Sequence, residues 1–134
     1  MGNSVVEEIK ARLQRHPTAR HESGEAWIRV LPDSNNGFIV QLSVDADKYV
    51  VSFEGWHEDF ERKDDALNCF AFGLSSMCRL KVWSFARLDY KWTVEHYQDG
   101  AWVEDSTVGL LAVPSCRGRI RHLQNNLIVN DETP

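Results

Sequence analysis

Apolar and polar residues alternate with a period of two on both sides of Glu54-Gly55, in "KYVVSF" and "WHEDF". Successive strand residues point to opposite faces, so this alternation predicts two strands, and the short connection predicts a hairpin. A two-residue loop puts Phe53 opposite Trp56, Ser52 opposite His57, Val51 opposite Glu58, Val50 opposite Asp59 and Tyr49 opposite Phe60. One face then collects Tyr49, Val51, Phe53, Trp56 and Phe60, with Glu58 as its lone polar member. The other collects Val50, Ser52, His57, Asp59 and Glu61. The carboxylates between positions 58 and 65 are mainly what remains outside when the rings face inward.

Two stretches follow a longer period. Leu67, Phe70, Ala71, Leu74, Met77 and Cys78 recur at helical spacing, which predicts a helix over 63–78 with Asp64 and Asp65 at the positive end of its dipole. Gly73 inside it costs about 1 kcal/mol relative to alanine unless it permits close packing on a sheet. Near the start, Val6, Ile9 and Leu13 form an apolar stripe, Ser4 and Glu7 have capping-box spacing, and Pro17 stops the helix at His16.

Between the helices, "AWIRVL" and "FIVQLSV" read as strands around the turn cluster "PDSNNG", after a loop "TARHESGE". The second half is a meander: "LKVWSFA" and "YKWTVEHY" join near "RLD", Asp99-Gly100 turns into "AWVEDST", and "GLLAV", a "PSCRG" turn and "RIRHL" follow. The pattern predicts an α+β fold. Its mainly antiparallel twisted sheet has about seven to eight strands in two meanders, with two principal helices in the order α-ββββ-α-ββββ. The chain, residues 1–134, reads as one domain whose tail, 126–134, is frayed after a short helical turn. In "LKVWSFA" both faces are apolar, Leu80 and Val82 on one and Trp83 and Phe85 on the other, so the strand calls for cover on both sides.

Composition narrows the function. A hydrophobic share of 43% and a charged share of 26% are those of a globular chain. Five tryptophans supply large apolar faces whose indole N–H groups need partners when buried. A net charge of −5 argues against nucleic acid or an anionic membrane as partner, because both attract a basic face. The N-terminal residues do not read as a signal peptide, and no apolar run approaches the length of a bilayer span. Three cysteines without CxxC spacing fit reduced thiols, and the expected location is the cytoplasm. Cys69 and Cys78, on one helix, would face opposite ways and could not pair.

Several groups invite chemistry. His57, Asp59 and Glu61 alternate on one strand face and suit a metal, although a solvated hairpin face explains them as well. Cys116 lies between arginines that would lower its pKa, and a tight turn wanting a small residue is the other account. Arg117, Arg119 and Arg121 form a ridge suited to an anion or an acidic partner, or to protecting a sheet edge. His96 lies among Glu95, Glu104 and Asp105 at a hairpin whose register is ambiguous. Phosphate loops, zinc-finger pairs, GxSxG elbows and HExxH are absent from the sequence.

No catalytic residue and no cofactor is assigned. The expectation is a small non-catalytic protein acting through protein–protein contacts, chaperone-like or adaptor-like and homodimeric. The element order, acidity and size look like the secretion-chaperone class of small dimeric proteins, a likeness of order that no motif carries. The alternative is a small-molecule-binding domain lined by Trp83, Phe85, Tyr90 and Trp92, with Arg119 or Arg121 anchoring an anionic group.

Overall fold

The computed structural model describes residues 3–109 and 118–128. The chain enters through α1 (Asn3–Leu13), whose Val5, Val6, Ile9 and Leu13 are buried. The α-helix already includes Ser4, whose side chain lies outside the described residues. After Leu13 the backbone tightens to three successive i→i+3 bonds, donated by Gln14, Arg15 and His16 N–H, and Pro17 follows. The predicted end at His16 is therefore the end of this tightened turn.

Five strands come next: β1 (His21–Ser23), β2 (Trp27–Val30), β3 (Val40–Asp45), β4 (Lys48–Phe53) and β5 (Trp56–Phe60). They form an antiparallel meander in chain order. β1 occupies the stretch expected to be a loop; three residues pairing with Ser23, Glu22 and His21 opposite Ile28, Arg29 and Val30 are too few to show a period. The β4–β5 hairpin has the predicted register at all five pairs, from Phe53–Trp56 to Tyr49–Phe60. Its turn is less expected. Glu54, with φ 56°, takes the left-handed conformation instead of Gly55. Two contacts to Ile39 hold it there, since Glu54 N–H donates to Ile39 O and the Glu54 carboxylate accepts Ile39 N–H at 2.8 Å. Gly55 answers a different need, because a Cβ there would collide with the indole of Trp92.

α2 (Lys63–Leu74) lays Leu67, Phe70 and Leu74 into the core with Val51, Phe53 and Trp56. Gly73 sits against the Phe53 ring, where a Cβ would overlap it, so the glycine is the price of close helix–sheet packing. The helix stops four residues short of the predicted 78. Ser75 turns into extended backbone, and its hydroxyl donates to Phe72 O and accepts Met77 N–H. Met77 and Cys78 thus leave the helix, and Cys78 opens β6. Cys69 on α2 and Cys78 in β6 are both free thiols.

The second sheet contains β6 (Cys78–Phe85), β7 (Leu88–Gln98), β8 (Ala101–Gly109) and β9 (Arg119–Leu123), in the order β8-β7-β6-β9. The fold is α+β as predicted, with nine described strands, close to the seven to eight expected, divided between two antiparallel sheets. β9 breaks the second meander by pairing with the free edge of β6. "GLLAV" and most of the "PSCRG" turn lie outside the described residues. The sheets meet where β5 packs against β7 and β8: Trp92 covers Gly55, and the buried Trp56 donates its indole N–H to Ser106 Oγ at 3.0 Å.

Residues 124–128, expected to open a helical turn, instead strap the molecule together. Asn125, fully buried, accepts Phe38 N–H and donates to Phe38 O and Gly73 O. Leu127 and Ile128 N–H both donate to Leu74 O, capping α2. Residues 129–134 lie outside the described residues. No helix among the described residues is long and apolar enough to cross a membrane.

Two stability changes follow from this packing. Phe70→Ala empties a site 3% exposed and should cost about 3–5 kcal/mol in urea unfolding, against a typical domain stability of about 5–15 kcal/mol. Asn125→Ala strands three buried backbone groups and should cost at least about 3 kcal/mol, since each unpaired group costs about 1–3 kcal/mol.

Candidate functional site: the outer face of the second sheet

Period two divides β6 cleanly. Cys78, Leu80 and Val82 point into the core, while Arg79, Lys81 and Trp83 point away from it. The register puts Glu95, Thr93 and Lys91 of β7 beside them on the outer face, with His122 and Ile120 of β9 on the other flank. No described helix or strand packs across this face.

The sheet covers much of it with its own side chains. Lys91 Nζ lies 4.3 Å and Lys81 Nζ 4.7 Å from the Trp83 ring centre, and Arg79 sits 4.5 Å above Trp102. Each such stack is worth about 0.5–1 kcal/mol when exposed, and the alkyl stems screen the rings from water. The outer side of "LKVWSFA" is therefore partly roofed by lysine chains. Beneath them Thr93 is buried and shares a 2.7 Å hydroxyl contact with Thr107.

Glu95 is buried directly opposite Glu104, an unfavourable cross-strand pair of like charges. Two cations from β6 resolve it: Arg79 Nε donates to Glu95 Oε1 at 2.7 Å, and Lys81 Nζ reaches Glu104 at 3.3 Å. His122 Nε2 is 4.0 Å from the same Glu95 oxygen. Burial, with the charges of Arg79 and Lys81, nevertheless holds the His122 pKa below its ordinary value, outweighing Glu95.

At the β6–β7 turn the chain bends sharply. Ala86 and Arg87 are both left-handed, with φ of 52° and 69°, a costly choice for residues with a Cβ. A register shift between Trp83 and Ser84 precedes them. Across the turn Arg121 forks onto Asp89 with two 2.8 Å hydrogen bonds, which hold the Asp89 carboxyl below the usual carboxylate range. Ser84, Phe85, Ala86, Arg87, Arg119, Ile120 and Arg121 line a cleft of about 720 Å3 here.

The residues expected to line a ligand pocket are thus divided. Phe85, Arg119 and Arg121 meet in the cleft, Trp83 lies on the outer face, Tyr90 is buried, and Trp92 packs inward on Gly55. His57, Asp59 and Glu61 are all exposed. Among the described residues no three His, Cys, Asp or Glu side chains converge as a metal site. Cys116 and Arg117 lie outside the described residues. The Cys69 thiol is pushed up to about 12 by burial and by Glu58, and burial raises Cys78 as well, so both stay protonated at neutral pH.

The sequence leaves one pairing open, placing His96 among Glu95, Glu104 and Asp105 without a register. A bulge between Val94 and Glu95 leaves Asp105 as the extra residue of β8, and its carboxylate reaches His96 Nδ1 at 2.8 Å. His96 Nε2 meets Gln98 Oε1 at 2.9 Å. Only the unpredictable register joins these residues; their spacing gives no sign of it.

The hydrogen bonds to Gln98 and Asp105 raise the His96 pKa above its ordinary value, so protonation of His96 favours the folded state. That contribution is complete below the unfolded-state pKa near 6.5 and vanishes as pH rises through the higher folded value. An NMR titration should place the His96 midpoint above 6.5, and Asp105→Asn should bring it down. The stability difference between wild type and Asp105→Asn should shrink as pH rises. No family model, curated protein or solved structure matches this chain.

Proposed function

We propose that the protein works by contact, as a homodimer, and that the outer face of the second sheet forms part of the contact surface. The observation that supports this is the pair of apolar groups at the two ends of that face, Trp83 with Ile120 and Tyr97 with Trp102, with Ile120 50% and Tyr97 41% exposed. Tryptophan, tyrosine and arginine are enriched at interface centres, and Tyr97, Trp102 and the Arg79 laid over it match that composition. The described thiols, held in their protonated form, suit a structural role, and His57 and Asp59 are left to solvent. The setting proposed for this dimer is the cytoplasm, where reduced thiols persist.

Light scattering tests the reading directly: the expected mass is twice the 15.4 kDa of the chain. Ile120→Glu, at a half-exposed position, should weaken the dimer without lowering thermal stability by more than a few degrees. A monomer carrying stoichiometric iron or zinc would overturn the proposal.

A second reading, a small-molecule-binding domain, draws support from the cleft, where the apolar Phe85 and Ile120 lie beside Arg87 and Arg119. An anionic ligand with an apolar body would suit that lining.

A further inference from the structure

The charge of this chain is divided between its two sheets. Residues 3–77 carry eight Lys and Arg against thirteen Asp and Glu, whereas 78–109 and 118–128 carry six against five. On the second sheet most charges are already matched: Arg79 with Glu95, Lys81 with Glu104, and Arg121 with Asp89. Arg87 and Arg119 have no carboxylate partner among the described residues, and both line the cleft at the β6–β7 turn. The apolar part of that cleft is Phe85, 38% exposed, and Ile120.

The opposite imbalance is found where β5 runs into α2. Glu58, Asp59, Glu61 and Asp64 are exposed and have no Lys or Arg partner among the described residues, while Asp65 has only Arg62 at 3.9 Å. No ion pair among the described residues joins this shoulder to the cleft of the same chain. The shoulder therefore carries more carboxylates than its own cations match, and the cleft carries two arginines without a carboxylate partner among the described residues.

We infer that the cleft at the β6–β7 turn receives the acidic β5–α2 shoulder of a second copy of this chain. Two such contacts, related by a twofold axis, then form the dimer. A twofold interface is self-complementary, so each shoulder–cleft contact occurs twice. Arg87 and Arg119 face the partner's carboxylates, Phe85 and Ile120 lose their exposure, and the outer face of the second sheet flanks the contact. The inference rests on the homodimer reading and names its surfaces. Charge pairs of this kind mainly set orientation, partner choice and association rate, and salt weakens them.

Charge reversal tests the pairing. One variant carries Arg87→Glu and Arg119→Glu, the other Glu58→Lys, Asp59→Lys and Glu61→Lys; all five sites are exposed, and circular dichroism checks that both variants fold. Each variant alone should self-associate at least about tenfold more weakly than wild type by analytical ultracentrifugation. Mixed in equal amounts they should form a heterodimer, because the reversed cleft then meets the reversed shoulder and the two unreversed patches meet each other, both with opposite signs. Wild-type self-association should weaken as sodium chloride is raised. Variants that dimerise as tightly as wild type, or a mixture that fails to recover association, overturn the inference and leave the homodimer reading standing. A monomeric wild type overturns both. If that monomer binds citrate by calorimetry and the arginine variant does not, the cleft is a small-anion site instead.

Discussion

The carboxamide of Asn125 is a tie on which three separate parts of the chain depend. It has no access to water and reaches the backbone of Phe38 twice and that of Gly73 once. Phe38 leads into β3 of the first sheet, Gly73 lies in the last turn of α2, and Asn125 itself follows β9 of the second sheet. Each hydrogen bond contributes about 1 kcal/mol net, but a helix end and a loop buried without partners would cost more than that sum. Next to it Gln124 N–H donates to Asn36 O, and the N–H groups of Leu127 and Ile128 close the carbonyl end of α2. A polar side chain is thus as necessary to the centre of this molecule as its apolar neighbours.

The other fixed joint lies between the sheets. Trp92 rests on Gly55 and Trp56 bonds to Ser106, so an aromatic ring from each sheet locks against the other. Together with the Asn125 tie, this joint fixes which side of β6 is inner. Leu80 and Val82 complete the shared core, and Trp83 is turned outward with the cations that lie on it. The geometry of the outer face is a consequence of packing elsewhere.

Local pattern was legible where period and burial agree. The β4–β5 register follows from rings alternating with polar residues, and the buried stripe of α2 follows from helical spacing. The helix end was hidden because Met77 and Cys78 continue the same spacing while Ser75, through its hydroxyl, turns the backbone. The pairing of β9 with β6, the burial of Asn125 and the fork of Arg121 on Asp89 join residues far apart in sequence. No local rule reports such contacts. At the candidate site Phe85, Arg119 and Arg121 were named in advance as lining a pocket, whereas Arg87 and Ile120 were not. The buried Glu95 and the His96–Asp105 contact depend on a bulge that composition cannot reveal.

The lysines over Trp83 give the second sheet a roof made of side chains. A helix laid across a sheet must unfold or shift before anything can replace it, whereas a lysine needs only to change rotamer. Water therefore meets ammonium groups, and an arriving surface can sweep them aside and find indole beneath. The face stays wettable in isolation and turns greasy on demand, without any rearrangement of the backbone.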